Sequence, residues 1–204
     1  MDLALFDFDG TITTADTLPS FVRTTVNPLR LRAGEVLLAP LVAGYRSGLV
    51  SGSAIRAAVV RVGLTGMPTA RFEERAHDFA TAVLPNLLRA EAMQRLERHR
   101  ARGDRIVVVS GNFETLLRPW CATHGLELIA STLACSAGRL TGRYAGPQCV
   151  GVEKARRVLQ RLDPGKYDCV HAYGDTIEDR ELLALADRAY YRGRRLRAGA
   201  ALTR

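Results

Sequence analysis

Four aspartates, a serine and a lysine are the residues of this sequence whose types and spacing could do chemistry. Asp7 and Asp9 close the apolar run Ala4-Leu5-Phe6, and Gly10-Thr11 follow them. In a strand, residues i and i+2 share a face, so both carboxylates would leave its carboxyl end side by side. Two anions that close repel, which is costly unless a cation is present. Asp175 and Asp179 follow a later strand-like run, Tyr167 to Tyr173, that ends at Gly174. Hard oxygen ligands of this kind suit Mg2+, which binds a few carboxylates and leaves positions for water and phosphate oxygens. Ser110 adds a neutral hydroxyl, and Gly111 and Asn112 are expected to open a helix whose N–H groups form a phosphate site. Lys154 and Lys166 are the two lysines among 29 basic residues, the rest being arginine. A compact ammonium at position 154 fits between a carboxylate and a phosphoryl oxygen where a planar guanidinium would crowd.

The elements that must position these groups are legible in outline. Ala4 to Phe6, Arg105 to Ser110, Leu126 to Ala130, Tyr167 to Tyr173 and Arg188 to Tyr191 read as strands, β-branched or apolar runs of the kind buried on both sheet faces. Leu133 to Tyr144 reads as a β-hairpin. Helical periodicity joins the strands: Leu88, Ala92 and Leu96 ending at Arg102-Gly103; Phe113 to His124, with a kink or split expected at Pro119; Ala155, Val158, Leu159 and Leu162; and Ile177 to Ala186. Residues 14 to 84 hold no alternating strand and read as an all-helical insertion, capped by Asp16 and interrupted at Asn27-Pro28, Gly44, Ser47-Gly48, Ser51-Gly52-Ser53 and Gly63 to Pro68. Alternating strands and helices predict a doubly wound α/β fold with a parallel sheet. In such sheets the site lies outside the carboxyl ends of the strands, where Asp7, Asp9, Ser110 and Asp175 would all emerge.

Asp7-Phe8-Asp9-Gly10-Thr11, Ser110, Lys154 and Gly174-Asp175-Thr176-Ile177-Glu178-Asp179 resemble, in order and spacing, the four motifs of haloacid-dehalogenase-like (HAD) hydrolases. The Arg118-Pro119-Trp120 helix, Gly138-Arg139-Leu140-Thr141-Gly142 and the Tyr173 to Glu181 ending are similar to subfamily IB, which is phosphoserine-phosphatase-like and includes a phosphatidylglycerophosphate phosphatase. The resemblance implies a Rossmann-like core over residues 1–13 and 85–204, with residues 14–84 as a helical cap. It implies an Mg2+-dependent phosphatase. Asp7 would be the nucleophile forming an aspartyl-phosphate and Asp9 the acid and base. Asp7, Asp175 and the backbone carbonyl of Asp9 would hold the metal, with Asp179 supporting the metal shell or Lys154. Ser110 and Lys154 would bind the transferring group, with Thr11, Gly111 and Asn112 nearby.

Specificity is expected in the cap. Asp16 stands where phosphoserine-specific relatives carry a glutamate that recognises the substrate amine, and helix capping explains it equally well. Arg56 and Arg61 are candidates for an anionic substrate group. Val36 to Ala43, flanked by Arg30, Arg32 and Arg46, reads as a core helix of the cap; contact with an anionic lipid surface is the other reading. The partner expected is a small phosphomonoester, phosphoserine-like, with a lipid phosphate as the alternative and a noncatalytic anion-binding protein as a third possibility. The net charge of +8 is spread over scattered arginines with no nucleic-acid-reading signature, so no nucleic acid is expected. Cys121, Cys135, Cys149 and Cys169 form no C-x-x-C pair, which fits reduced thiols in a cytoplasmic protein. The start shows no secretory signal pattern, and the apolar run at 36–43 is far shorter than the roughly 20 residues of a membrane span.

Overall fold

The computed structural model describes residues 1–197 of the 204. A six-stranded sheet in the order β3-β2-β1-β6-β7-β8 forms its centre. The strands are β1 (Leu3–Phe6), β2 (Arg105–Phe113), β3 (Glu127–Ser131), β6 (Val170–Gly174), β7 (Arg188–Tyr191) and β8 (Arg194–Arg195). The first five run parallel and β8 turns back antiparallel on β7. The hairpin β4 (Leu133–Ser136) and β5 (Arg139–Tyr144) forms a separate small sheet.

The apolar runs are continuous because alternate residues feed two cores. Ala4, Phe6, Ile106 and Val108 enter one cluster, while Leu3, Leu5, Val107 and Val109 enter the other. Helices α5 (Ala90–Ala101) and α6 (Glu114–Thr123) send buried side chains to the first cluster. From α7 (Val152–Arg161) and the short α8 (Arg180–Leu183), Val158, Leu182 and Leu183 enter the second.

Between β1 and α5 the chain is helical: α1 (Thr17–Thr25), α2 (Pro28–Arg46), α3 (Gly52–Leu64) and α4 (Thr69–Asp78), then a π-turn at Phe79–Val83 and a 3-10 turn at Leu84–Leu87. Asp16, Asn27 and Ser51 cap the first three helices, each side chain accepting a backbone N–H. Phe21 is the pivot of the packing. It meets Phe72 and Phe79 edge-on within the insertion, and Phe113 at the end of β2, with ring centroids 5.5 to 6.3 Å apart. The outgoing and returning chains are tied together by Thr14 N–H to Leu87 O (2.8 Å) and Arg89 N–H to Ile12 O (2.8 Å).

Several sequence expectations are corrected. The largest concerns Val36 to Ala43, which is not a core helix: Gly34 is the one buried residue of α2, and Leu29, Val36 and Leu37 are 77, 78 and 67% exposed. Gly44 does not break α2, whose end is at Ser47. Pro119 lies inside an unbroken α6, since one missing N–H removes a single bond of the helix. Extended backbone continues through Gly111 and Asn112, so the helix opens at Glu114. Leu88 precedes α5 instead of starting it, and Leu159 faces solvent. Residues 167–169 precede β6 in irregular conformation, and the helix after Gly174 stops at Leu183. Arg194–Arg195, both exposed, pair with β7 at the sheet edge, and the Arg-rich end from position 198 lies outside the described residues. Among the described residues no helix is long and apolar enough to cross a membrane.

Candidate active site

A cleft of about 810 Å³ opens at the carboxyl ends of β1, β2 and β6, beneath the insertion. Asp7, Asp9, Asp16, Arg56, Ser110, Gly111, Asn112, Lys154 and Asp175 all line it. Thr11 does not line the cleft but an adjoining cavity, its hydroxyl donating to Asp175 Oδ1 (3.3 Å). Asp179 is buried behind Lys154. Arg61, by contrast, is exposed and not part of the lining.

At the centre Lys154, from α7 and only 2% exposed, donates to both Asp7 and Asp179, the latter at 2.6 Å. Carboxylate oxygens of Asp7, Asp175 and Asp179 lie within 4.8 Å of one another. The other oxygen of Asp179 accepts the backbone N–H groups of Asp175 (3.1 Å) and Thr176 (3.0 Å), folding the 175–179 turn around it. Gly10 (φ +77°) passes so close to the Asp175 carboxylate that a Cβ there would collide with it.

Three carboxylates face one ammonium. Burial and the Asp179 charge hold the Asp7 carboxyl well above the usual range, and burial with Asp179 also raises Asp175. Lys154 keeps Asp179 low against the effect of burial. The group is therefore short of positive charge, and its all-oxygen donors fit a hard divalent cation such as Mg2+.

Asp9 is in a different setting. Its carboxylate is turned out of that group: Oδ1 accepts from Thr17 N–H (2.8 Å) and Thr17 Oγ1 (2.6 Å), and Oδ2 from Asn112 Nδ2 (2.9 Å). Burial and Asp16 raise its proton affinity, while the Thr17 and Asn112 bonds oppose the rise. Two carboxylates two residues apart thus have separate surroundings, and burial acts on them through different neighbours.

Asn112, expected on the phosphate, spends its amide on Asp9 and on Thr17 Oγ1 (2.8 Å), and its N–H is taken by Ser110 Oγ (3.1 Å). It is a positioning residue for Asp9. Replacing it with alanine should lower kcat by about 10- to 100-fold with little change in KM, the scale of a lost supporting contact. A pre-steady-state comparison of wild type and Asn112→Ala would check this.

Arg56 from α3 is also already engaged. It donates to both oxygens of Glu178 (2.8 and 2.9 Å) and to Gln148 Oε1 (3.0 Å), whose amide reaches back to Ser53 O (2.7 Å). Asp16 performs the capping role, accepting from Leu18 N–H (3.0 Å), while lining the same cleft. Sequence reasoning missed Thr17, Gln148 and the pairing role of Glu178. None carries a local signal: Gln148 and Glu178 find their partners in distant parts of the chain, and Thr17 reaches Asp9 only through the fold of the intervening loop.

A parallel sheet with this cleft at its carboxyl edge belongs to a hydrolase class whose family model, "haloacid dehalogenase-like hydrolase", matches residues 4–184. The chain is a member of that family. Protein CicA of Caulobacter vibrioides is 35% identical over 192 residues, covering 93% of this chain and 85% of that one. Among solved structures, a Bordetella pertussis Tohama I protein with unknown function superposes with a TM-score of 0.77 at 23% identity, covering 92% of this chain and 88% of that chain. A substrate-bound phosphoserine phosphatase superposes with a TM-score of 0.67 at 19% identity, covering 93% of this chain and 84% of that one.

Proposed function

We propose that the protein is an Mg2+-dependent phosphomonoester hydrolase working through an aspartyl-phosphate, with residues 14–84 acting as a cap over the site. The observation that carries this reading is the division of labour between Asp7, paired with Lys154 in the carboxylate group, and Asp9, held apart by Thr17 and Asn112. An Asp7 oxygen attacks phosphorus as the bond to the leaving oxygen breaks, and Asp9 gives that oxygen its proton. Asp9, now a carboxylate, takes a proton from water as the water attacks the phosphoryl group on Asp7, releasing phosphate and restoring both residues. Lys154 and Ser110 hold the phosphoryl oxygens, with Thr11 and Gly111 beside them. Asp7, Asp175 and the Asp9 carbonyl would hold the cation, supported by Asp179; when bound it neutralises phosphoryl charge.

The substrate favoured is a small phosphorylated metabolite with a further charged group, phosphoserine-like in size, met at the mouth by Asp16 and Arg56. Phosphate release from a panel of phosphorylated metabolites and lipid phosphates, with Mg2+ and with EDTA, tests the reading. Absence of metal-dependent turnover on every member would overturn it in favour of a noncatalytic anion-binding protein.

Glu178 occupies the guanidinium that such a substrate needs. Glu178→Gln should therefore lower KM several-fold for phosphomonoesters carrying a second anionic group, leaving kcat and the KM of uncharged esters unchanged. Steady-state kinetics on a matched ester pair would decide; an equal effect on both esters would dissociate Glu178 from recognition.

One observation favours the second reading, a lipid phosphate. The exposed apolar residues of α2 continue through Tyr45 and Leu49, the latter 87% exposed, and both of these line the cleft mouth. That reading predicts co-sedimentation with anionic vesicles at low salt, weakened in Val36→Asp/Leu37→Asp. Failure to sediment would leave the soluble substrate.

A further inference from the structure

Arg95 and Arg98 of α5 and Arg102, which caps its end, are spaced i, i+3 and i+7 and so share one face. That face looks across a cavity of about 250 Å³ to Arg188 on β7. The cavity shares no lining residue with the active-site cleft. Four guanidiniums thus line one solvent-facing hollow, and their mutual repulsion favours an anion between them.

One carboxylate already answers part of this charge, at Arg102. Asp104 is buried against His99 Nδ1 (2.8 Å) and the Arg102 guanidinium (3.0 Å), and it also accepts Asp2 N–H (3.1 Å). Asp2 is taken by His171 Nε2 (3.0 Å). Arg95 donates to Gly193 O (2.8 Å) and lies over the Tyr173 and Tyr190 rings. Among the described residues, Arg98 and Arg188 have neither an ion pair nor a side-chain hydrogen bond, although both line the cavity.

The floor supplies no countercharge. His99 donates or accepts at Tyr173 Oη (2.8 Å), and burial holds its pKa below the ordinary value. His171 is 3% exposed, and its Nδ1 is buried without a partner among the described residues, an unusual state for a buried ring nitrogen.

We infer that this cavity between α5 and β7 is a second anion site, taking a compact oxyanion such as inorganic phosphate or the phosphate group of a small metabolite. Planar guanidiniums match the oxygen geometry of phosphate, with Arg98 and Arg188 providing the uncommitted donors and Arg95 and Arg102 the surrounding charge. The volume suits one phosphate group with a small substituent.

Titration calorimetry of the intact protein with inorganic phosphate tests the assignment. Arg98→Ser/Arg188→Ser should bind one phosphate fewer per chain than the wild type, with kcat and KM on the best substrate of the panel unchanged. Both side chains are exposed, so the substitutions leave the core intact. Arg71→Ser/Arg75→Ser, which removes the same charge from exposed positions of α4, should keep the wild-type stoichiometry. Equal stoichiometry in the wild type and the Arg98/Arg188 variant would overturn the proposal. So would an equal loss in both double variants, which would mean that general charge, not this cavity, holds the ion. Should the Arg98/Arg188 variant melt early, Arg98→Lys/Arg188→Lys serves instead, with weakened binding expected and unchanged binding overturning the site.

Discussion

Asp7→Asn should abolish turnover, by a factor on the order of 10⁵, while the protein folds as before. Losses of that size follow when the attacking group itself is removed, since the remaining binding groups cannot replace it. The structural side of the prediction is sharper. Burial and Asp179 hold the Asp7 carboxyl above its ordinary pKa, so its ionised form is less favourable folded than unfolded near neutral pH. A neutral amide of the same shape relieves that conflict, and Lys154 keeps Asp179 as its partner. Metal-free Asp7→Asn should thus melt no lower than metal-free wild type, and a modest rise is expected. Retained activity would refute the nucleophile assignment, and a collapse in Tm would refute the electrostatic account.

Lys154→Met should have the second-largest effect, and here activity and stability fall together. Methionine replaces the stem but leaves Asp7 and Asp179 buried with no cation between them. Breaking a buried ion pair from one side costs about 3 to 5 kcal/mol. A loss of about 10³ in kcat is expected from removing a phosphoryl-binding charge. The sign of the pH dependence follows from Asp179, whose carboxyl Lys154 holds below the usual range. That contribution is present above the unfolded carboxylate pKa, about 4, and fades as pH falls through the lower folded value. In the variant the unpaired carboxyls take up protons more readily, so its deficit should be largest near pH 7 and shrink towards acid. Urea melts across that range would show it; a deficit independent of pH would assign the loss to packing.

How much of this was legible in the sequence depends on whether a residue's role is set locally. Asp7, Asp9 and Asp175 could be placed because a buried strand fixes both its direction and its side-chain alternation, and the chemistry stands where the strand stops. Lys154 could be singled out because the chain otherwise uses arginine almost throughout. Asn112 was assigned to the wrong neighbour: the glycine before it suggested a helix start, whereas the extended backbone runs on to Phe113 and aims the amide at Asp9. The exposed apolar side of α2 was misjudged for another reason. An apolar run records that water is disfavoured, and says nothing about which element, if any, covers it. The four-arginine cavity was hidden as well, since the spacing on α5 is visible in the sequence but Arg188 arrives only through the sheet order.

The bond from Asp9 to Thr17 carries a mechanical consequence. Thr17 begins the first helix of the insertion, and the two chain crossings below it are pinned to each other, so that helix cannot swing away without letting go of the carboxylate. The orientation of the Asp9 carboxylate is thus coupled to the seat of the insertion on the sheet.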